Sequence, residues 1–115
     1  METGFGWIEI GGVRYDHDIV IHTDGTATKR KKKLSKGLKG VYGHTPIDDA
    51  EVAFLVDEMP EVVYIGTGQY GDLPITPGAQ KVLERFSPVI MPTPEILPRI
   101  KNDRRRYAAV LHVTC

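Results

Sequence analysis

Hydrophobic and polar residues follow two patterns along this chain, and the change comes near residue 45. Before that point, short apolar runs alternate with turn residues, and the dipeptides Gly11-Gly12 and Asp24-Gly25 each separate two such runs. Glycine-containing dipeptides between β-branched and aromatic runs are typical of β-hairpins. The pattern therefore predicts strands over about 5–10, 13–15, 18–22 and 27–30.

After residue 45 the pattern predicts alternating helices and strands. Apolar residues recur with helical spacing over about 46–58 and 77–86, and Thr-Pro pairs stand at 45–46, 76–77 and 93–94. Such pairs favour helix starts, because threonine can cap a free amide and proline needs no hydrogen bond at the first position. We expect the helix after Thr93 to be short, because Pro98 falls inside it. Strands are predicted at 62–65, 89–91 and 107–113.

These elements predict an α/β fold with three layers: N-terminal β-hairpins, a small mixed central sheet and flanking helices. Strand, helix and strand between 62 and 91 form a βαβ unit, whose two strands should be parallel. We expect residues 1–115 to form a single domain. Residues 1–44 would hold the hairpin layer and a basic loop, and residues 45–115 the alternating helices and strands.

Composition narrows the class of protein. The 115 residues contain 15 Lys plus Arg and 15 Asp plus Glu, so the chain has no net charge to steer polyanions. The single cysteine, Cys115, allows no internal disulfide, and no apolar run approaches the length of a membrane span. We expect a soluble, cytoplasmic protein without membrane contact, cofactor or metal.

The first candidate site lies where the most apolar run ends in Gly66-Thr67-Gly68. Open α/β sheets usually bind ligands at the carboxyl ends of their strands, and amides in a tight turn can hold an anion. Thr93 and Arg106 would supply the polar wall of such a pocket. The run matches neither a dinucleotide-binding fingerprint nor a P-loop. The alternative is that these glycines serve only chain reversal and close packing.

The second candidate is a basic patch whose members are Lys29, Arg30, Lys31, Lys32 and Lys33. Lysine and arginine side chains in such a run could contact phosphate groups. The alternative is a solvated loop without a partner. No RNA- or DNA-binding motif or stacking platform accompanies the run, so nucleic acid is not favoured as a ligand.

The remaining reactive side chains form no complete catalytic or metal-binding set. The spacing of the four histidines suits no shared metal ion. Asp16 and Asp18 could share one face of a strand and act as an acid–base pair, or one of them could bond turn amides. Cys115 would need a nearby base and an oxyanion site to act as a nucleophile, and neither is visible in the sequence.

Three segments resemble one known family: YDHDIVIHTDG at 15–25, IGTG at 65–68 and HVTC at 112–115. They are similar to the Mth938-like family of small proteins, over nearly the whole chain and in the same order. The resemblance implies a three-layer α/β fold and no established activity. Eukaryotic members include an adipogenesis-associated protein and a mitochondrial complex I assembly factor, which implies an assembly or interaction role. Arg106 fits the arginine that opens the last strand in relatives, whereas their aromatic-Asn pair in the last helix is absent.

The function predicted from the sequence is a non-catalytic binding or assembly-type module with a protein partner. The alternative is a protein that binds a small anion or metabolite at the Gly66-Thr67-Gly68 turn. Enzymatic activity is left open in that alternative, although no catalytic residues can be assigned.

Overall fold

The structure is a computed structural model, which describes residues 1–32 and 45–115. Within those residues the strands are β1 Glu2–Gly4, β2 Trp7–Ile10, β3 Val13–Tyr15, β4 Ile19–Ile21, β5 Ala27–Lys29, β6 Val62–Thr67, β7 Pro88–Met91 and β8 Tyr107–His112. The helices are α1 Asp49–Val52, α2 Phe54–Glu58, α3 Pro77–Leu83, followed by the 3₁₀ turn Glu84–Phe86, and α4 Thr93–Asn102. In the described ranges, none of the helices has the length and apolar character needed to cross a membrane.

The strands form two sheets. The first has the order β1-β2-β3 and is antiparallel. The second has the order β5-β4-β8-β6-β7, in which β4 is antiparallel to both of its neighbours and β6 is parallel to both of its own. The predicted mixed sheet and the parallel βαβ unit are therefore confirmed. The β4–β5 hairpin belongs to this central sheet and not to the outer hairpin layer.

Strand β6 explains why the domain has three layers. All six of its residues are buried, because side chains on both faces of the sheet are covered. Val62 and Tyr64 pack with the three-stranded sheet and α4. Val63 and Ile65 face the opposite way and pack with α1, α2 and α3. The predicted three-layer α/β fold is confirmed, with the central sheet between two apolar cores.

Helix α4 differs from the sequence prediction. It runs for ten residues and continues through Pro98. Proline inside a helix costs about 3 kcal/mol, since a hydrogen bond is lost and the preceding turn is crowded. Ile96, Leu97 and Ile100 are buried against the central sheet. Tertiary packing of this apolar face outweighs the local preference, as it does in most protein helices.

The three Thr-Pro pairs do not behave alike. Thr76 caps α3 as predicted, because its hydroxyl accepts a hydrogen bond from an amide of the first turn at 3.2 Å. The pair at 45–46 starts no helix, and α1 begins only at Asp49. The intervening Ile47 forms a parallel bridge with Ile75 instead. Ile47 needs an extended backbone to form that bridge. Helix α1 therefore starts at Asp49 and not directly after the Thr45-Pro46 pair.

Residues 113–115 lie against the turn that follows β6. The backbone amides of Gln69 and Tyr70 donate hydrogen bonds to the carbonyl oxygens of Thr114 and Cys115, each at 3.0 Å. Gly68 has a φ of +101°, and a Cβ on it would lie 2.1 Å from the Thr114 carbonyl oxygen. Glycine is therefore required at this position both for its conformation and for the close approach.

We expect Gly68→Ala to lower the free energy of unfolding by about 3 kcal/mol, because left-handed strain and a forced displacement add together. Gly25→Ala is the matched control, since Gly25 also has a positive φ (+89°) but nothing lies near its Cβ position. That control should lose about 1 kcal/mol. Urea unfolding at equilibrium measures both values. Equal losses in the two variants would contradict the close approach at Gly68.

Candidate functional site

A cavity of about 790 Å³ opens beside the edge of the central sheet. Among the described residues, its lining comes from residues 16–18, 28–32 and 113–114, together with Gly6. The cavity therefore lies where the first sheet, the β4–β5 hairpin and the segment after β8 meet. Ligand sites for small molecules commonly have volumes of this size.

Asp18 is the buried centre of this site, with 2% of its surface exposed. Its Oδ2 lies 2.6 Å from Nδ1 of His112, 3.0 Å from Nη1 of Arg30 and 3.6 Å from Nζ of Lys32. Its Oδ1 accepts a hydrogen bond from the Val113 amide at 2.9 Å. Burial opposes ionisation of Asp18, but the hydrogen bond and charge of His112, with help from Val113 and Lys32, hold the pKa of this carboxyl well below its usual range.

His112 connects Asp18 to the cavity wall. Because the ionised carboxylate of Asp18 can only accept, Nδ1 of His112 must carry the hydrogen of their bond. Nε2 then faces the hydroxyl of Thr114 at 3.1 Å. His112 is 3% exposed, whereas Thr114 is half-buried and lines the cavity. These three residues, called the Asp18–His112–Thr114 triad below, form one continuous line of hydrogen bonds.

Arg30 holds Asp18 from the other side. Its side chain is 1% exposed and donates to Asp18 and, through Nε and Nη2, to both carboxylate oxygens of Glu51 at 2.6 and 3.0 Å. Nη2 also donates to the carbonyl oxygens of Thr45 and Pro46. The basic-patch prediction placed Arg30 on the exposed surface with its lysine neighbours, but Arg30 is buried. Its guanidinium group pairs with the carboxylates of Asp18 and Glu51 inside the protein.

Three of the other predicted patch residues do line the cavity. Lys29, Lys31 and Lys32 are exposed at its wall. The fifth, Lys33, lies outside the described residues, as do residues 34–44, which belong to the predicted N-terminal segment with its basic loop. Whether these lysines bind an anion stays a prediction.

The predicted glycine turn is closed, and it supports His112 from behind. The amide of Gly68 donates to Oγ1 of Thr93 at 3.1 Å, and this hydroxyl donates to the carbonyl oxygen of His112 at 2.6 Å. A Cβ on Gly66 would lie 2.5 Å from the same hydroxyl. Thr67 and Thr93 are both buried. The structure thus brings these four predicted residues together, but the Gly68 amide and the Thr93 hydroxyl form hydrogen bonds within the protein.

Arg106 lies at the opposite end of the sheet from the glycine turn. It precedes Tyr107, which pairs with Val62 at the start of β6, whereas the turn follows the end of β6. Because β6 and β8 are parallel, the start of β8 lies beside the start of β6 and far from its end. The five residue steps from Val62 to Thr67 span about 16 Å. Arg106 donates instead to the Glu58 carbonyl oxygen at 2.8 Å. It cannot form one pocket wall with Thr93.

The pairing of Asp18 with His112 was missed in the sequence. Asp18 immediately precedes β4 and His112 ends β8, and the antiparallel register places Ile19 opposite Leu111. The available signal in the sequence was a polar residue at one end of each of two apolar runs. These two residues become neighbours only because β4 pairs with β8. Asp16 does not join them, because its side chain is 73% exposed.

Among residues 1–32 and 45–115, no group of three His, Cys, Asp or Glu side chains is arranged to hold a metal ion. The polar atoms of the triad and of Arg30 have protein partners instead. The arrangement can therefore orient a hydroxyl and a histidine ring at a cavity wall, next to several lysine ammonium groups.

Comparison with known proteins finds similarity among solved structures. No family model and no curated protein matches the chain. A conserved hypothetical protein from Pyrococcus horikoshii, PH1505, is 34% identical over 100% of this chain and 98% of its own, with a TM-score of 0.87. The protein MT938 is also 34% identical, over 100% and 96% of the two chains, with a TM-score of 0.82. A Mth938-like domain from Bordetella pertussis shares the fold at 17% identity over 95% and 81% of the two chains, with a TM-score of 0.56.

Asp18→Asn tests the energetic role of the buried carboxylate. Removing one partner of a buried ion pair should lower the free energy of unfolding by about 3 kcal/mol or more at neutral pH. The pKa of Asp18 is lower in the folded than in the unfolded chain, so its contribution is present above about pH 4 and is lost as the pH falls further. The variant should therefore lose less stability than the wild type between about pH 5 and pH 2.

Urea unfolding at several pH values measures this difference. Asp16→Asn is the matched control, because Asp16 is exposed and pairs with Arg14 on the surface. It should change the free energy of unfolding by about 0.5 kcal/mol or less. An Asp18→Asn variant with the stability and acid sensitivity of the wild type would contradict this role.

Proposed function

This chain belongs to the Mth938-like family, and we propose that it serves as a binding module that holds a small anion in the cavity beside Asp18 and His112. The class of ligand is a carboxylate- or phosphate-bearing small molecule. The observation that carries the proposal is the excess of positive charge at the cavity wall. The carboxylates of the wall have close cationic partners, and Lys29 and Lys31 stand exposed there in addition.

Among the described residues, the two acidic side chains of the lining both have cationic partners. Asp16 bonds the Arg14 guanidinium at 3.0 Å, and Asp18 is engaged by Arg30 and Lys32. Lys29 and Lys31 therefore contribute an excess of positive charge, even though the whole chain is neutral. A cleft with low-dielectric walls focuses such a field and attracts ligands of the opposite sign. This supports an anion over a neutral or cationic ligand.

Polar side chains at the same wall would give the anion an orientation. Thr114 and His17 line the cavity together with the lysines. Hydrogen bonds to a charged acceptor are shorter and stronger than those between neutral groups. A bound carboxylate or phosphate could therefore receive both charge and directed hydrogen bonds.

The glycine turn is less well supported as the anion site. The amide of Gly68 is already bonded to Thr93, and the hydroxyl of Thr93 donates to a carbonyl oxygen. An anion would have to displace these internal bonds and the segment 113–115 that covers the turn. The proposal therefore keeps the predicted ligand class and moves the site to the neighbouring cavity.

An assembly-type module with a protein partner is the second candidate. Phe5 and Tyr70 are 64% and 73% exposed, and their ring centroids lie 6.3 Å apart. Phe5 precedes Gly6, which lines the cavity. Adjacent exposed aromatic side chains are typical of protein interaction sites, because they bury a large apolar area on binding.

A thermal-shift titration tests the anion proposal. Phosphate, pyrophosphate and citrate at constant ionic strength should raise the melting temperature saturably. A ligand at ten times its Kd stabilises a protein by about 1.4 kcal/mol, which corresponds to a shift of several degrees in a domain of this size. Lys29→Ala combined with Lys31→Ala should remove most of this shift.

The control for that titration keeps the change in net charge the same. Lys81 and Lys101 are exposed on α3 and α4, away from the cavity, and their double alanine variant should retain the wild-type shift. Thr67→Val separates the two candidate sites, because it should leave the shift intact if the cavity binds the anion. Loss of the shift in Thr67→Val alone would return the site to the glycine turn, and no shift in the wild type would refute anion binding.

Paired aromatic substitutions test the second candidate. Phe5→Ser with Tyr70→Ser should abolish retention of a specific protein partner in affinity capture, while Val13→Ser should not. Val13 is a suitable control because it is also an exposed apolar residue, at 51%, but carries no aromatic ring. The same partner retained by both variants would count against this surface.

A further inference from the structure

We propose that the Asp18–His112–Thr114 triad makes Thr114 a nucleophile for acyl transfer, with an ester of an anionic acid as its substrate. Thr114 and His112 would be the catalytic residues, and Asp18 would position the ring. The choice of an anionic acyl group rests on the proposed anion-binding function. The assignment of Thr114 as the nucleophile rests on the geometry of the triad alone.

The triad has the connectivity that hydroxyl nucleophiles require. Asp18 fixes the tautomer in which Nδ1 of His112 is protonated, so Nε2 is the acceptor that faces the Thr114 hydroxyl at 3.1 Å. Hydroxyl groups are weak nucleophiles unless a base of this kind removes their proton. The same three roles recur on unrelated folds in different chain orders, so they are recognised by geometry and not by sequence position.

Several supports hold the base in this orientation. Thr93 bonds the carbonyl oxygen of His112 at 2.6 Å, and a Cβ on Gly68 would lie 3.0 Å from Cδ2 of the ring. Arg30 and the Val113 amide fix Asp18 in turn. His112 itself is buried, and its Nε2 faces the hydroxyl of Thr114, a half-buried residue that lines the cavity.

The reaction follows from these positions. Oγ1 of Thr114 attacks the ester carbonyl carbon as its proton passes to Nε2 of His112, and a C–O bond forms to a tetrahedral intermediate. The bond to the leaving alcohol then breaks with its electron pair, and His112 returns the proton to that oxygen. Water, activated by the same base, releases the acid and restores Thr114. Lys32 lines the same cavity as Thr114, and its ammonium group would stabilise the negative oxygen of the intermediate.

The test uses two chromogenic esters of matched shape. The anionic probe is para-nitrophenyl para-carboxybenzoate, and the neutral probe is para-nitrophenyl para-methylbenzoate. Cleavage after Arg106 yields the peptide 107–115, which contains no lysine, so acylation of surface amines does not interfere. Mass spectrometry of this peptide is expected to find the acyl group on Thr114, with faster labelling by the anionic probe.

Four variants separate the roles. Thr114→Val should remove the label, Thr114→Ser should restore it, and Cys115→Ala should keep it. His112→Gln should slow labelling about 100-fold, which is the lower end of what a general base contributes. Circular dichroism and the melting temperature establish that each variant is folded. The rescue by serine keeps the test meaningful even where His112→Gln fails to fold.

The outcomes distinguish this inference from the proposed function. Terephthalate, the free acid of the anionic probe, is titrated in parallel by thermal shift. A terephthalate shift without any label on Thr114 would overturn the inference and leave anion binding in place. Labelling of Thr114 by both probes without a terephthalate shift would support the nucleophile and refute the anion site. Equal labelling of peptide 107–115 in wild type and Thr114→Val would also overturn the inference.

Discussion

The buried carboxylate of Asp18 is the constraint on which the rest of the site depends. Taking an ionised carboxylate out of water costs several kcal/mol unless charged and hydrogen-bonding partners replace the solvent. Its close partners, Arg30, His112 and Val113, come from the end of the β4–β5 hairpin and from the end of β8. None of these segments can move without leaving the charge unsatisfied. The orientation of His112 and the shape of the cavity follow from that requirement.

Much of the fold could be predicted from local sequence patterns. The apolar run of β6, the cap at Thr76 and the hairpin dipeptides each specify their own element, because the deciding interactions are within a few residues. The errors occurred where distant contacts decide. Burial of one face of α4 outweighs the cost of Pro98, and the bridge between Ile47 and Ile75 delays the first helix.

The site was predicted less well than the fold, for a physical reason. The glycines and Thr93 were recognised as neighbours, but a pattern cannot tell whether a turn's amides face a ligand or another part of the chain. Asp18 and His112 are 94 residues apart, and only the register of β4 with β8 joins them. Arg30 stands within a basic run in the sequence, yet two carboxylates hold it in the interior.

The triad and the lysines contribute different properties to the cavity wall. The triad is fixed on both sides, by Arg30 on one and by Thr93 on the other, so its polar atoms are oriented before a ligand arrives. The lysines are exposed and long, so in the proposed function they would select charge without demanding one ligand shape. Such a site would accept several anions and present them to a single hydroxyl. The position of Thr114, and not the number of lysines, would then decide whether binding leads to the proposed acyl transfer.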